Sequence, residues 1–153
     1  MPKIIFLTLM FFWIFGSAIL AYPYYLSYYN EFVGIDNGYK YIGDSNYDWG
    51  QDLKRLRDLI QNNPDFAGRK IYLNYFGGGS PSYYLGGQYE DWRSAKGAPP
   101  SGSYFAVSST LLAGAQGRPT KGIVIKPEDS YGWLLGQKPF TRAGKSILIY
   151  KIP

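Results

Sequence analysis

The stretch DSNYDWGQDLKRLRDLIQNNP, residues 44–64, decides how the chain is read. It opens with an acid or amide at alternate positions, Asp44, Asn46 and Asp48, and then passes into a helical pattern. Three chemistries compete for such an opening: a cation loop, a catalytic acid pair and the cap of a helix. A calcium loop of the EF-hand type needs oxygen ligands at positions 1, 3, 5 and 12 and a glycine at 6. Asp44, Asn46 and Asp48 fill the first three, but position 6 is Trp49 and position 12 is Arg55, with Asp52 as the substitute ligand. A glycosidase pair needs two carboxylates facing each other across a cleft. Asp48 and Asp52, one turn apart on the same helix edge, do not supply that.

Capping accounts for more of the stretch. Asp48 is expected as N-cap with Gln51 at N3 completing a capping box, and Asp52 as negative charge in the first turn. Trp49, Leu53, Leu56 and Ile60 follow at spacings of four, three and four, one apolar stripe of a helix over 49–62 that stops at Asn62-Asn63-Pro64. Asp44 and Asn46 are left unexplained. Together with Asp48 and Asp52 they are the candidate ligand-binding residues, and neither a metal site nor a cofactor is assigned.

Upstream lies an apolar tract. From Ile4 to Tyr22 there are 19 residues without a charge, which as a helix span about 28 Å, near the hydrocarbon thickness of a bilayer. Gly16-Ser17-Ala18 offers small residues of the kind a signal peptidase cleaves, but apolar character continues through Ile19 and Leu20. A retained single-pass anchor is therefore expected. Lys3 precedes the tract and the next basic residue is Lys40, which places the N-terminus in the cytoplasm and the C-terminal domain in the periplasm or outside the cell. Residues 1–30 are read as anchor and aromatic juxtamembrane segment, and 31–153 as an extracytoplasmic domain.

Composition narrows the partners. A net charge of +5, with Lys54, Arg55 and Arg57 interleaved among apolar positions, does not make a nucleic-acid stripe; membrane lipid is the expected partner. The chain holds 16 Tyr, and Tyr24 with Tyr28 and Tyr25 with Tyr29 lie four apart. On a helix continuing out of the bilayer these pairs would sit on neighbouring faces at headgroup depth, as an interfacial anchor or a stacking platform for sugar rings or a neighbouring subunit. The chain has no His and no Cys, so a Ser-His-Asp triad, a Cys nucleophile and the usual zinc ligands are excluded. Glu90 and Asp91 are the other acids open to inspection.

The remaining chain reads as a small α+β (or α/β) fold. Residues 71–76, 104–108 and 146–152 are rich in Ile, Leu and Tyr, as strands are, and 123–126 is a fourth candidate. Ser109 or Thr110 can cap a helical turn through Leu112, and 130–135 reads as another turn. Gly77-Gly78-Gly79 follows a strand without the Gly-Lys-Ser/Thr of a phosphate loop and reads as a turn, as do 97–102 and 114–122. A small mixed sheet with helix 49–62 packed on one face is the simplest architecture.

Several pieces of the chain resemble, in the same order, the region after the last membrane helix of many bacterial and archaeal multi-pass glycosyltransferases, those similar to dolichyl-phosphate-mannose protein mannosyltransferases. They are the run from Asn37 to Ile42 with DSNYDWGQDLKRL, then Tyr72 to Gly77 with Ser80 to Tyr84, Tyr104 to Ser108, Tyr131 to Leu134 and Arg142 to Tyr150. The resemblance implies a polyprenyl-phosphate-linked sugar as donor, reached through a partner, because that family's catalytic acids sit in a first extracytoplasmic loop that has no counterpart here. No catalytic residue carries over, and the chain alone is not expected to be an enzyme. Two functions are open: a non-catalytic domain assisting assembly or acceptor/donor placement in lipid-linked-sugar transfer, or an accessory subunit of a larger membrane protein complex. The start Met1-Pro2-Lys3 reads as the beginning of an independently made protein, which favours the second; the resemblance favours the first.

Overall fold

A computed structural model of the chain describes residues 2–41, 47–116, 124, 126 and 130–153. The apolar tract forms helix α1, Pro2–Ala21, with mean hydropathy 2.4 and almost no buried surface. It is long and apolar enough to cross a membrane, a property that a signal sequence near an N-terminus shares. The helix stops where Tyr22 precedes Pro23, since a residue before proline is pushed out of the helical region. The tyrosines therefore do not continue on one helix as expected. A short 3₁₀ turn, Tyr25–Ser27, follows instead, and the four rings point into different surroundings.

Helix α2, Leu53–Asn62, also starts later than its sequence pattern suggests. Gly50 takes a left-handed φ of +79°, a conformation that no residue of a right-handed helix has. Trp49 stays outside the helix and is 61% exposed, so the stripe begins at Leu53 and runs through Leu56 and Ile60, all three buried. Asn63 leaves the helix extended, and its side chain accepts from the Asp65 amide to start the next turn, Pro64–Phe66.

Among the described residues the sheet has five strands in the order β2-β1-β3-β5-β4. They are β1, Ile71–Asn74, β2, Tyr89–Asp91, β3, Tyr104–Ser108, β4, Thr141–Ala143, and β5, Ile147–Lys151. β1 runs parallel to β2 and β3, whereas β5 is antiparallel to β3 and β4. Between β1 and β2 lies helix α3, Pro81–Leu85, and β3 runs directly into helix α4, Ser109–Gln116. The strands expected at 71–76, 104–108 and 146–152 are present; most of the candidate at 123–126 lies outside the described residues. β2 and β4, three residues each, and α3 carry too little periodicity to be seen in sequence.

Both faces of the sheet are covered. Ile71, Leu73, Tyr104, Ala106, Ile147 and Ile149 form one buried cluster with Leu53, Leu56 and Ile60 of α2 and Leu85 of α3. The alternate residues Phe105, Val107, Leu148 and Tyr150 cluster with Leu112 of α4, Tyr131 and Leu134. That two-sided burial explains why 104–108 and 147–150 read as unbroken apolar runs. Register then brings separate stretches to one end of the sheet: Asn74 pairs with Val107, Ser108 with Ile147, and Ile147 with Ala143. The carboxyl ends of β1, β3 and β4 and the amino end of β5 share that end, and the chain leaving α1 arrives there.

Candidate functional site

Asp52 is the centre of that end. It occupies the N-cap position of α2, but its side chain does not cap the helix. The carboxylate turns to the loop between β4 and β5, where Oδ2 accepts the backbone N–H groups of Lys145 at 2.7 Å and Ser146 at 2.8 Å. Oδ1 takes Arg55 Nη1 at 2.6 Å. Three donors thus neutralise a fully buried carboxylate, as a charge without water requires. Gly144 lies against it with φ +58°, and a Cβ there would meet Asp52 Cγ at 2.1 Å. Glycine is needed here on both counts.

Asp48 is equally buried and differently held. Its Oδ1 accepts the Gly50 N–H at 2.9 Å, a local turn of the kind that aspartate favours, and Gln51 Oε1 accepts the Trp49 N–H at 2.7 Å. The expected capping box is absent because Gly50 breaks the helical path between its two members. Asp48 Oδ2 is sealed from solvent without a hydrogen bond of good geometry, as is Ser146 Oγ. Burial raises the Asp48 pKa above the ordinary aspartate value, the Gly50 amide and the nearby Ser146 and Ser108 hydroxyls oppose the rise, and the Asp52 charge adds to it. Asp44 and Asn46, the other two candidates, lie outside the described residues.

The glycine of the DWG run has a second duty. Tyr75 Oη donates to Gly50 O at 3.0 Å, and Gly77 presses on Gly50 so closely that a Cβ on Gly77 would stand 2.6 Å from Gly50 Cα. Phe76 N–H donates to Ser108 Oγ at 2.9 Å. The loop after β1, the end of β3 and the approach to α2 are thereby tied together.

The chain leaving α1 is fastened to the same place. Gln51 Nε2 donates to Ser27 Oγ and to Tyr47 O, both at 3.1 Å. Buried Tyr47 donates to Ile35 O at 2.8 Å, and its burial pushes the phenol far above the ordinary tyrosine range. The Tyr24 ring lies 4.8 Å from both the Arg55 guanidinium and Lys145 Nζ, two cation–π contacts on groups that also serve Asp52 or its loop. Lys145 Nζ is paired with Asp36 Oδ1 at 2.6 Å. Of the other tyrosines, Tyr29 stacks on Tyr41, Tyr25 packs edge-on to Tyr22, and Tyr28 donates to Glu31, which also receives Ser17 of α1. Sequence reasoning missed Tyr24's role because its partners lie 31 and 121 residues away.

A second feature of this end is a cleft of about 480 Å³ outside the carboxyl ends of β1, β2 and β3, lined among others by Asn74, Tyr75, Arg93, Leu111, Ala115 and Tyr131. Asn74 Nδ2 donates to Tyr131 Oη at 2.5 Å, and Tyr131 is the one non-glycine residue with positive φ among those described, at 50°. Glu90 and Asp91, on β2, do not line it; Glu90 faces Lys70 at 3.6 Å. Comparison of the chain with protein-family models, curated proteins and solved structures gave no match.

Two expectations follow. Replacing Asp52 with Ala strands two backbone donors and should cost about 3 kcal/mol, and Gly144→Ala should cost at least about 2 kcal/mol through clash and positive φ. Because both act at one contact, the double variant should fall short of additivity by about 1 kcal/mol or more in urea unfolding; strict additivity would separate the two sites.

For Asp48 the sign is opposite. A raised folded-state pKa means that the folded chain keeps a proton which the unfolded chain has already lost, so stability contributed by this group falls as pH rises through that interval. Asp48→Asn should remove the fall. Its urea midpoint should match wild type near about pH 3 and exceed it near about pH 7; a variant less stable at neutral pH than at acid pH, relative to wild type, would contradict this.

Proposed function

We propose that the chain is a membrane-tethered extracytoplasmic domain that works by placement, holding acceptor or donor for lipid-linked-sugar transfer while another polypeptide supplies the catalytic loop. One observation carries the reading: at the end of the sheet that bears the cleft, α2 and the β4–β5 loop are fastened to the chain leaving α1 through Tyr24, Arg55, Lys145 and Asp52. A domain fixed in this way on a membrane helix keeps its ligand-facing end at a set distance from the bilayer. Freely linked domains lack that restriction.

The stretches that carry the glycosyltransferase resemblance support the same reading, because they converge on this end. DWGQD supplies Asp48, Gly50 and Asp52, the run from Tyr72 supplies Asn74, Tyr75 and Gly77, and the later ones supply Ser108, Tyr131, Gly144, Lys145 and Ser146. Asp52 joins α2 to the β4–β5 loop and Asp48 is buried in a local turn with Gly50, which leaves bond-making to a partner with acids of its own. The charge asymmetry of Lys3 and Lys40 supports an outer position for the domain.

The test is mild detergent extraction from native membranes and identification of what co-purifies. A polytopic glycosyltransferase in the same particle is the expected result, with no sugar transfer from a polyprenyl-phosphate sugar by the purified chain alone. Detectable transfer by that chain would refute the placement role. A stoichiometric complex of unrelated membrane proteins would replace it with the accessory-subunit reading, for which the exposed flank of α1 offers the contact surface.

A further inference from the structure

The cleft above β1–β3 has the position that ligand sites take in open parallel sheets. In such sheets a crevice forms outside the strand carboxyl ends where successive connections leave toward opposite faces. Here the connection after β1 passes to α3, whose Leu85 belongs to the cluster on one face, and the one after β3 passes to α4, whose Leu112 belongs to the cluster on the other. The chain moves from β1 to its neighbour β2 and then back across β1 to β3. β1 and β3 therefore flank the switch point, and Asn74, the last residue of β1, lines the cleft.

Its chemistry is one-sided. Arg93, which follows β2, lines the cleft and makes no ion pair or side-chain hydrogen bond among the described residues, and none of the lining residues is acidic. A guanidinium offers a planar fork of donors that matches the two oxygens of a carboxylate or phosphate. Beside it stand the Asn74–Tyr131 pair as a polar rim and the Tyr75 ring, Leu111 and Ala115 as apolar wall. Tyr131 holds its place in a left-handed conformation that a bulky side chain adopts only under constraint, a form of strain that concentrates at ligand sites. The volume lies within the range of small-molecule pockets.

We propose that this cleft binds a monosaccharide-sized anion, its phosphate or carboxylate taken by Arg93 and its ring body set between the Tyr75 and Asn74–Tyr131 sides. The proposal deepens the placement reading and rests on it for the source of the ligand, whereas anion binding itself needs no partner.

The experiment uses the full chain in phosphatidylcholine nanodiscs and follows the side-chain resonances of Asn74 and Arg93 by NMR. Glucose 1-phosphate, glucuronate and inorganic phosphate are titrated beside neutral glucose. Saturable shifts with the anionic sugars but not with glucose are expected. Arg93→Gln should weaken binding at least about tenfold, the loss of a charge-assisted hydrogen bond, and Arg93→Lys should restore part of it. Arg93 is exposed, so both variants should fold, as their unperturbed amide spectra would verify. If only nanodiscs doped with phosphatidylglycerol shift the same resonances, with the same dependence on Arg93, the site stands and its anion is a lipid headgroup. No shift with any anion, or equal affinity in Arg93→Gln, would overturn the proposal. Anion binding by a chain that co-purifies with no transferase would leave the site and remove the placement reading.

Discussion

Asp52 carries a negative charge where water does not reach, and much of the arrangement around it follows from satisfying that charge. A buried carboxylate needs several donors at once. It finds them in three parts of the chain: Arg55 one turn along α2, and the amides of Lys145 and Ser146 in the β4–β5 loop. Because the loop must offer two N–H groups to one oxygen, it passes so close to Asp52 that residue 144 has no room for a side chain. The same contact sets the relation of α2 to the antiparallel edge of the sheet, and it brings Arg55 and Lys145 to the Tyr24 ring. Helix, hairpin and the exit of α1 thus meet at one charge.

The sequence makes the larger elements legible for simple reasons. Nineteen uncharged residues admit few interpretations, and the strands buried on both faces announce themselves as apolar runs. The Leu53-Leu56-Ile60 stripe is equally plain. Reading fails where long-range contacts override local preference. Asp48 and Gln51 have the spacing of a capping box, yet Gly50 between them adopts a conformation that ends the helical path, and that is dictated by Gly77 and Tyr75, about 25 residues away. Asp52 looks like helix-dipole charge, while two of its three partners sit more than 90 residues downstream. Tyr24 reads as an interfacial ring, and its contacts with two cations carry no local sequence signal. The cleft was invisible for a related reason: Asn74, Arg93 and Tyr131 have no shared motif, and topology alone assembles them.

These features give the molecule a division of labour. Asp52 is buried where it joins α2 to the β4–β5 loop, and Arg93, exposed and without an ion pair among the described residues, stands beside the Asn74–Tyr131 pair. Both lie at the end of the sheet that is tied to α1. The contacts of Tyr24, Gln51 and Tyr47 hold the chain leaving the apolar helix to the same end of the sheet as the cleft. The tyrosine-rich segment at residues 22–29 enforces that geometry by spreading its rings among separate partners: Arg55 and Lys145 for Tyr24, Glu31 for Tyr28 and Tyr41 for Tyr29.

The most direct measurement of the central constraint is amide hydrogen exchange of Lys145 and Ser146 in the full chain. Both lie in a loop between two strands, where exchange is ordinarily fast. If Asp52 binds them as described, their protection should approach that of the β3–β5 ladder and should collapse in Asp52→Ala, which removes the acceptor, while the ladder itself stays protected. Fast exchange of both amides in the wild-type chain, or protection that survives the substitution, would contradict the role assigned to Asp52.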